Sequence, residues 1–505
     1  MNFWVLSVDA VFRRFFILLA AAAAFAGGAA AASKAVGSAA AGPCPFEATN
    51  ALLPVECGRL TVPENYDDPG RDIEIAFMIV RAENNANREN PAILLSGGPG
   101  SPSLVYAEML VATPEIRDIV VDRDWVFFDQ RGSGRSLPAL RCRQEEDYLK
   151  RVRLCRDMLI KEGVDLSQYN SERSAQDIEA LRKALGVKQW NLWGISYGSR
   201  LAFAVARDFP ASVRSIVHDG PSDPGAPEII NDFRGTEIAI ERLLSKCAAD
   251  ATCAARYPDL RTRFLAALPR LRREPMAVGD RKVSDNRLVS YIRAYLFNNA
   301  PAAVYERRVQ DLLAYMDAAA RSDGRSMRRI EQELREDGGD EPPVPVEGWD
   351  SLGQNLSIEC NEERSFETPE QYRRAADQSD IVRALFGARD GVDFFDDCAL
   401  WPAGRADPVR KSRVRYDGPQ LAFSGEFDPS LSGMSGYTIE MLYPDARNVV
   451  FRNAGHVQVD LTSFPPAVVD DYRRCALLLA RQFFADPRSR LDTSCAETRR
   501  LRLAP

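Results

Sequence analysis

The protein has 505 residues, more than one hydrophobic core usually organises, so a main domain with a second one is expected. Apolar residues make up 45% and charged residues 27%, which excludes a disordered tail, a fibrous repeat and a polytopic membrane protein. The 65 basic and 72 acidic side chains leave a net charge of −7, so no nucleic-acid partner is expected.

Residues 1–42 differ from the rest. Arg13 and Arg14 precede an uncharged apolar run from Ile17 to Phe25, and an Ala/Gly stretch follows. This is the layout of a secretory signal peptide, with cleavage near Ala30 to Ala32 removing residues 1–32. An uncleaved anchor is the alternative, but the apolar run is shorter than the ~20 residues that span a bilayer. No stable membrane insertion is therefore expected after cleavage.

The ten cysteines fall as sequence neighbours: Cys44 and Cys57, Cys142 and Cys155, Cys247 and Cys253, Cys360 and Cys398, Cys475 and Cys495. Local disulfides between these neighbours are the simplest pairing, and they fit export to a periplasmic or extracellular, oxidising compartment. The spacings are not C-x-x-C and the two histidines are not placed to help, so no metal site is expected.

From Arg71 onward the pattern alternates. Ile73–Val80, Pro91–Leu95, Trp125–Phe128, Trp190–Trp193 and Ser215–Val217 read as strands. Ser174, with Asp177 three residues on and Ile178, Leu181 and Leu185 at helical spacing, opens a helix, and residues 198–208 form another. Such alternation predicts a mostly parallel sheet with helices on both faces. After Pro221 the alternation stops, and residues 223–415 are largely helical, with a hinge or loop at Asp337–Pro345. Strands resume at Gln420–Phe423 and Asn448–Phe451, and an amphipathic helix from Pro466 to Phe484 closes the chain. So long an interruption is no loop. It predicts a helical cap, residues 223–415, inserted into a core made of residues 43–222 and 416–505.

Gly194-Ile195-Ser196-Tyr197-Gly198 matches G-x-S-x-G and lies after a strand and before a helix. Glycine flanks a sharp bend that lifts the serine hydroxyl above the sheet. A serine needs a base, and only His218 and His456 exist. His456 suits the order Ser, acid, His, whereas His218 follows the nucleophile helix too closely. Asp428, straight after the Gln420 strand, is the acid of choice, with Glu426 and Asp219 as rivals. The Tyr197 N–H and Gly98, in Ser96-Gly97-Gly98-Pro99-Gly100, are the expected oxyanion donors.

These segments carry a resemblance. Ser96–Gly100, Asp129-Gln130-Arg131-Gly132-Ser133-Gly134-Arg135-Ser136 and Gly194–Ser199 resemble the motifs of α/β-hydrolase peptidases called proline iminopeptidases and tripeptidyl aminopeptidases. Cys57–Pro63, His218–Pro221 and the Asp428 and His456 segments extend it over most of the chain. The chain departs from the family in Ser96, where His is usual, in His218, where Leu is common, and in lacking a Gly after His456. The resemblance implies an α/β-hydrolase fold and an exported serine exopeptidase that works without a cofactor. Recognition of a charged α-amine would favour the acidic pair Glu362 and Glu363 beside Cys360. A secreted esterase with the same triad, acting on a small ester, is the alternative; a non-catalytic binding protein on the same scaffold is a third reading.

Overall fold

The computed structural model describes residues 37–44, 53–84, 87, 89–104, 107–108, 111, 122–336, 351–386, 393–430, 432–459 and 471–504. The expected leader, the Asp337–Pro345 hinge and the start of the last helix at Pro466 lie outside them.

A nine-stranded sheet forms the core, in the order β1-β2-β3-β5-β4-β6-β7-β10-β11. Its strands are β1 Ala39–Gly42, β2 Val55–Pro63, β3 Asp72–Val80, β4 Ala92–Leu95, β5 Trp125–Phe128, β6 Trp190–Ile195, β7 Val213–Asp219, β10 Gln420–Gly425 and β11 Ala446–Phe451. β1, β2 and β3 pair antiparallel and β3 joins β5 antiparallel; every pairing from β5 to β11 is parallel. β4, β5, β6 and β10 are buried at every residue. That is why β4 and β5 read as continuous apolar runs and not as alternating patterns.

Successive side chains of a strand point to opposite faces, and here each face has its own apolar layer. Trp125, Phe127, Trp193, Val217 and Phe423 pack with Phe483 and Phe484 of the helix Asp471–Ala485. Val126, Phe128, Leu192 and Ile216 pack with Leu181 of the helix Ser171–Ala184 and with Leu201 and Val205 of the helix Tyr197–Asp208. The chain has the α/β-hydrolase architecture.

β7 and β10 are parallel neighbours in the sheet, with Val217 opposite Leu421, although some two hundred residues separate them in sequence. The described residues of that stretch are mostly helical. Among them the helices Glu228–Ala249, Leu260–Arg273, Asp285–Phe297 and Ala302–Ala320 share a core that includes Leu243, Phe264, Ile292, Leu296, Leu312 and Met316.

Several details differ from the sequence reading. The sheet starts at Ala39, four residues before the expected start of the core, because Ala39–Gly42 pairs with Cys57–Leu60 of β2. A small hairpin, β8 Met276–Val278 with β9 Arg281–Val283, interrupts the helices. Its three-residue strands are too short to show a period, and only the Gly279-Asp280 turn marks it. The helix expected from Ser174 begins at Ser171, capped by Asn170, whose side chain accepts the Arg173 N–H at 2.9 Å. The last helix is described from Asp471.

All ten cysteines pair as sequence neighbours: 44–57, 142–155, 247–253, 360–398 and 475–495. Five disulfides indicate a chain folded in an oxidising, exported environment. No helix among the described residues is long and apolar enough to cross a membrane.

Candidate active site

Ser196 occupies the turn between β6 and the helix Tyr197–Asp208, with φ 53° and ψ −121°. A serine in this region is strained, and such strain persists only where the surroundings impose it. The glycines make room for it. A Cβ on Gly194 would run into the backbone of Gly198, and one on Gly198 into the Leu95 carbonyl. Ser196 is partly exposed although Ile195 and Tyr197 on either side are buried.

The end of β7 anchors this turn. The Asp219 carbonyl accepts the Ser196 N–H at 2.8 Å. The buried Asp219 carboxylate accepts the N–H groups of Gln458 at 2.6 Å and Val459 at 3.0 Å, just after His456. A Cβ on the next residue, Gly220, would lie 2.8 Å from His456 Cε1. The Ser196 turn and the His456 loop therefore flank the same two residues. Asp219, a rival for the acid, is committed to holding backbone.

His456 Nδ1 lies 2.7 Å from Asp428 Oδ2 and 3.0 Å from Ser430 Oγ. Asp428 is held in turn, because its Oδ1 accepts the Ser430 N–H at 2.8 Å. Burial disfavours the charged form of His456, but the charge of Asp428 and its hydrogen bond, with Asp219 and Asp232 behind, outweigh it. The ring's pKa ends above its ordinary value. Glu426, the other rival, faces away: it binds Lys246 Nζ at 2.8 Å and the Asn453 N–H at 2.9 Å. His218 is a packed ring inside β7, stacked on Phe203 at 4.6 Å and bonded to Gln420 at 3.0 Å. Burial lowers its pKa to about 4.

Beside Ser196 runs the 96–100 loop. Gly98 is exposed with φ +107°, while Gly97, Pro99 and Gly100 are buried. The loop is pinned on several sides: Ser96 Oγ donates to the Ser101 carbonyl at 2.5 Å, Gln130 Nε2 donates to the Ser96 carbonyl at 3.1 Å, and Asn355 Nδ2 donates to the Pro99 carbonyl at 3.1 Å. Tyr197 is buried, and its hydroxyl shares a 2.7 Å hydrogen bond with Ser171 Oγ.

Glu362 and Glu363 are buried at the end of the helix Leu352–Glu362, behind that tyrosine, and line a polar cavity of about 240 Å³. Both already have partners. Glu362 accepts from Ser171 N at 2.6 Å and Ser171 Oγ at 2.7 Å. Glu363 pairs with Arg200 at 2.5 Å and Lys411 at 2.7 Å.

Other residues serve differently from their sequence reading. Asp177, expected as an acid of the first helical turn, makes a two-pronged pair with the fully buried Arg131, both contacts at 2.7 Å. Arg131 also donates to the carbonyls of Glu64 and Gln168, so the Asp129–Gly132 motif braces the core. Asn299, which no motif marks, bonds the backbone on both sides of His456. Among the described residues, one group has donor atoms close enough for a metal: Cys360, Asp397 and Cys398. Its two sulfurs are joined in a disulfide, which leaves no thiolate to ligate.

Comparison with known proteins agrees with the fold. A family described as "alpha/beta hydrolase fold" matches residues 90–239. The chain is 25% identical over 402 residues to "Putative hydrolase YuaR" of Escherichia coli K12, covering 74% of this chain and 76% of that one. It is 30% identical over 224 residues to "Serine protease Hip1" of Mycobacterium tuberculosis H37Rv, 39% of this chain and 42% of that one. At 28% identity it resembles "Tripeptidyl aminopeptidase" of Streptomyces coelicolor over 36% of this chain and 37% of that one. "Carboxylesterase B" of M. tuberculosis CDC 1551 is also 28% identical, over 49% of this chain and 51% of that one. The last three matches each span about half or less of the relative. The chain is a hydrolase of the α/β-hydrolase fold, and its relatives include both peptidases and an esterase.

Proposed function

We propose that the chain is a secreted serine hydrolase, an aminopeptidase of the proline iminopeptidase and tripeptidyl aminopeptidase kind, releasing N-terminal residues or short peptides through an acyl-enzyme on Ser196. The observation that carries the serine-hydrolase part of this reading is the 2.7 Å contact of Asp428 with His456, beside a strained serine turn that shares the Asp219–Gly220 anchor; the match to a tripeptidyl aminopeptidase supports the rest.

In this scheme Ser196 Oγ attacks the substrate carbonyl while the free nitrogen of His456 takes its proton. Asp428 fixes the ring through Nδ1 and stabilises the imidazolium. The N–H groups of Tyr197 and Gly98 receive the oxyanion, where loss of one donor typically costs ~3 kcal/mol. His456 returns the proton to the leaving amine, and water, activated by the same ring, releases the acyl group. A helical cap over the core, with boundaries near residues 223 and 415, would supply the substrate pocket. Glu362 and Glu363 are the proposed amine-recognition acids; an incoming ammonium would share Glu362 with Ser171 and Arg200.

The match to a carboxylesterase favours a second reading, an esterase using the same triad. A paired set of aminoacyl arylamides separates the two. The aminopeptidase reading predicts turnover with a free α-amine and none after acetylation. Fast hydrolysis of p-nitrophenyl esters with preference for acetylated substrates would select the esterase instead. Glu362→Gln is expected to raise KM for free-amine substrates with a smaller change in kcat.

A further inference from the structure

The loop that carries His456 is held by the helical segment inserted between β7 and β10. The helix Asp285–Phe297 ends against it: the Phe297 carbonyl accepts the His456 N–H at 2.8 Å, and the Phe297 ring lies 4.4 Å from the imidazole, centroid to centroid. Two residues later, the buried Asn299 side chain uses both its ends. Its Oδ1 accepts the Gly455 N–H at 2.7 Å, while its Nδ2 donates to the carbonyls of His456 at 3.0 Å and Val457 at 2.7 Å. Both backbone groups of His456 are thus bound by inserted residues. A Cβ on Gly455 would lie 2.6 Å from the Phe297 carbonyl oxygen, so glycine there permits the close approach.

Val457 adds a second, independent sign. It has φ 54°, a conformation that a β-branched side chain resists strongly. Such a residue stays there only when its neighbours over-determine it. Asn299 holds the Val457 carbonyl on one side, and Asp219 holds the following N–H groups on the other. Without the Asn299 amide, the strain has an outlet through the residue next to His456.

We propose that Asn299 is a positioning residue: its amide holds the Gly455–Val457 backbone so that the His456 ring stays aligned between Asp428 and the Ser196 turn. The inserted segment, and not the sheet alone, then sets the alignment of the base. The proposal rests on the reading of His456 as that base.

The test uses the two-histidine composition of the chain. With ¹⁵N-labelled histidine, the full chain gives ring signals from His218 and His456 alone. Charged groups facing His456 are Asp428 on its own side, Asp219 at the end of β7, and Asp232, which Arg293 pairs at 2.8 Å. Asn299→Ala should lower kcat on an activated aryl ester by about 10²-fold with KM within about threefold, the scale of an ångström misalignment. The His456 titration midpoint should move down toward its ordinary value as the Asp428 contact loosens, while the His218 signal stays in place as an internal check of the fold. Asn299→Gln, which keeps the amide one methylene farther out, should restore part of both readouts. If Asn299→Ala loses the His218 signal, the comparison passes to Asn299→Gln against wild type, with the same directions expected. An unchanged kcat together with an unmoved His456 midpoint, in whichever variant folds, would overturn the proposal. Full turnover by Ser196→Ala would instead overturn the serine reading, and the ring titration would still judge Asn299.

Discussion

Asp219 joins the Ser196 turn to the His456 loop by one residue's worth of backbone and carboxylate. Its carbonyl takes the Ser196 N–H at 2.8 Å, and its two carboxylate oxygens take the N–H groups of Gln458 and Val459. Asp219→Ala therefore leaves two buried donors without their acceptor. The expected loss of stability is at least ~2 kcal/mol, read as a lower urea midpoint at unchanged slope. Activity should fall further than the unfolded fraction explains, because the His456 loop loses its tie to the strand end whose carbonyl still holds the Ser196 turn.

Asp428 and Glu426 lie two residues apart yet face different neighbours, and a pair of variants separates them. Asp428→Asn keeps the shape but removes the negative partner of His456, and should cost about 10⁴-fold in kcat. Glu426→Gln weakens a half-exposed bridge to Lys246 and should change kcat little. Steady-state kinetics on a single substrate decides both.

The two imidazoles should titrate on opposite sides of their ordinary value. His218 protonates only near pH 4, held neutral by burial. His456 protonates above its ordinary value, because the Asp428 charge outweighs burial. A base must be neutral to accept a proton, so kcat/KM should fall as pH drops through the raised His456 pKa, giving an acid limb above ~6.5. In Asp428→Asn the limb should shift downward in whatever activity remains.

Gly97 tests the packing of the candidate oxyanion loop against the serine. A Cβ there would sit 2.8 Å from the Ile195 carbonyl oxygen and 3.0 Å from the Ser196 Cβ. Neither neighbour is a flexible side-chain end, so loop and turn must separate. Gly97→Ala should lower kcat by roughly tenfold to a hundredfold, with a smaller change in KM. A silent Gly97→Ala would mean that the spacing of loop and turn does not matter.

Much of this arrangement is legible in local pattern. Apolar runs mark β4 and β5 because those strands are buried on both faces, and G-x-S-x-G is recognisable because strand and helix flank it. The scarcity of histidine narrows the base to two positions, of which chain order favours one. What escapes the reading depends on contacts between distant residues. The Arg131–Asp177 pair, 46 residues apart, looks like a loop arginine and a helix-start acid. Asn299 sits in Phe297-Asn298-Asn299-Ala300, which carries no motif, and its partners lie more than 150 residues away. Ser174 has the cap residue's chemistry, yet Asn170 takes that place one turn earlier and leaves Ser174 inside the helix.

The most direct measurement is stoichiometric labelling with a fluorophosphonate probe, read by peptide mass spectrometry beside turnover of the wild type and Ser196→Ala. The account predicts one label per chain on Ser196, no label on the variant, and a fall in kcat of about a millionfold. Label on another residue, or a variant that turns over substrate at the wild-type rate, would contradict it.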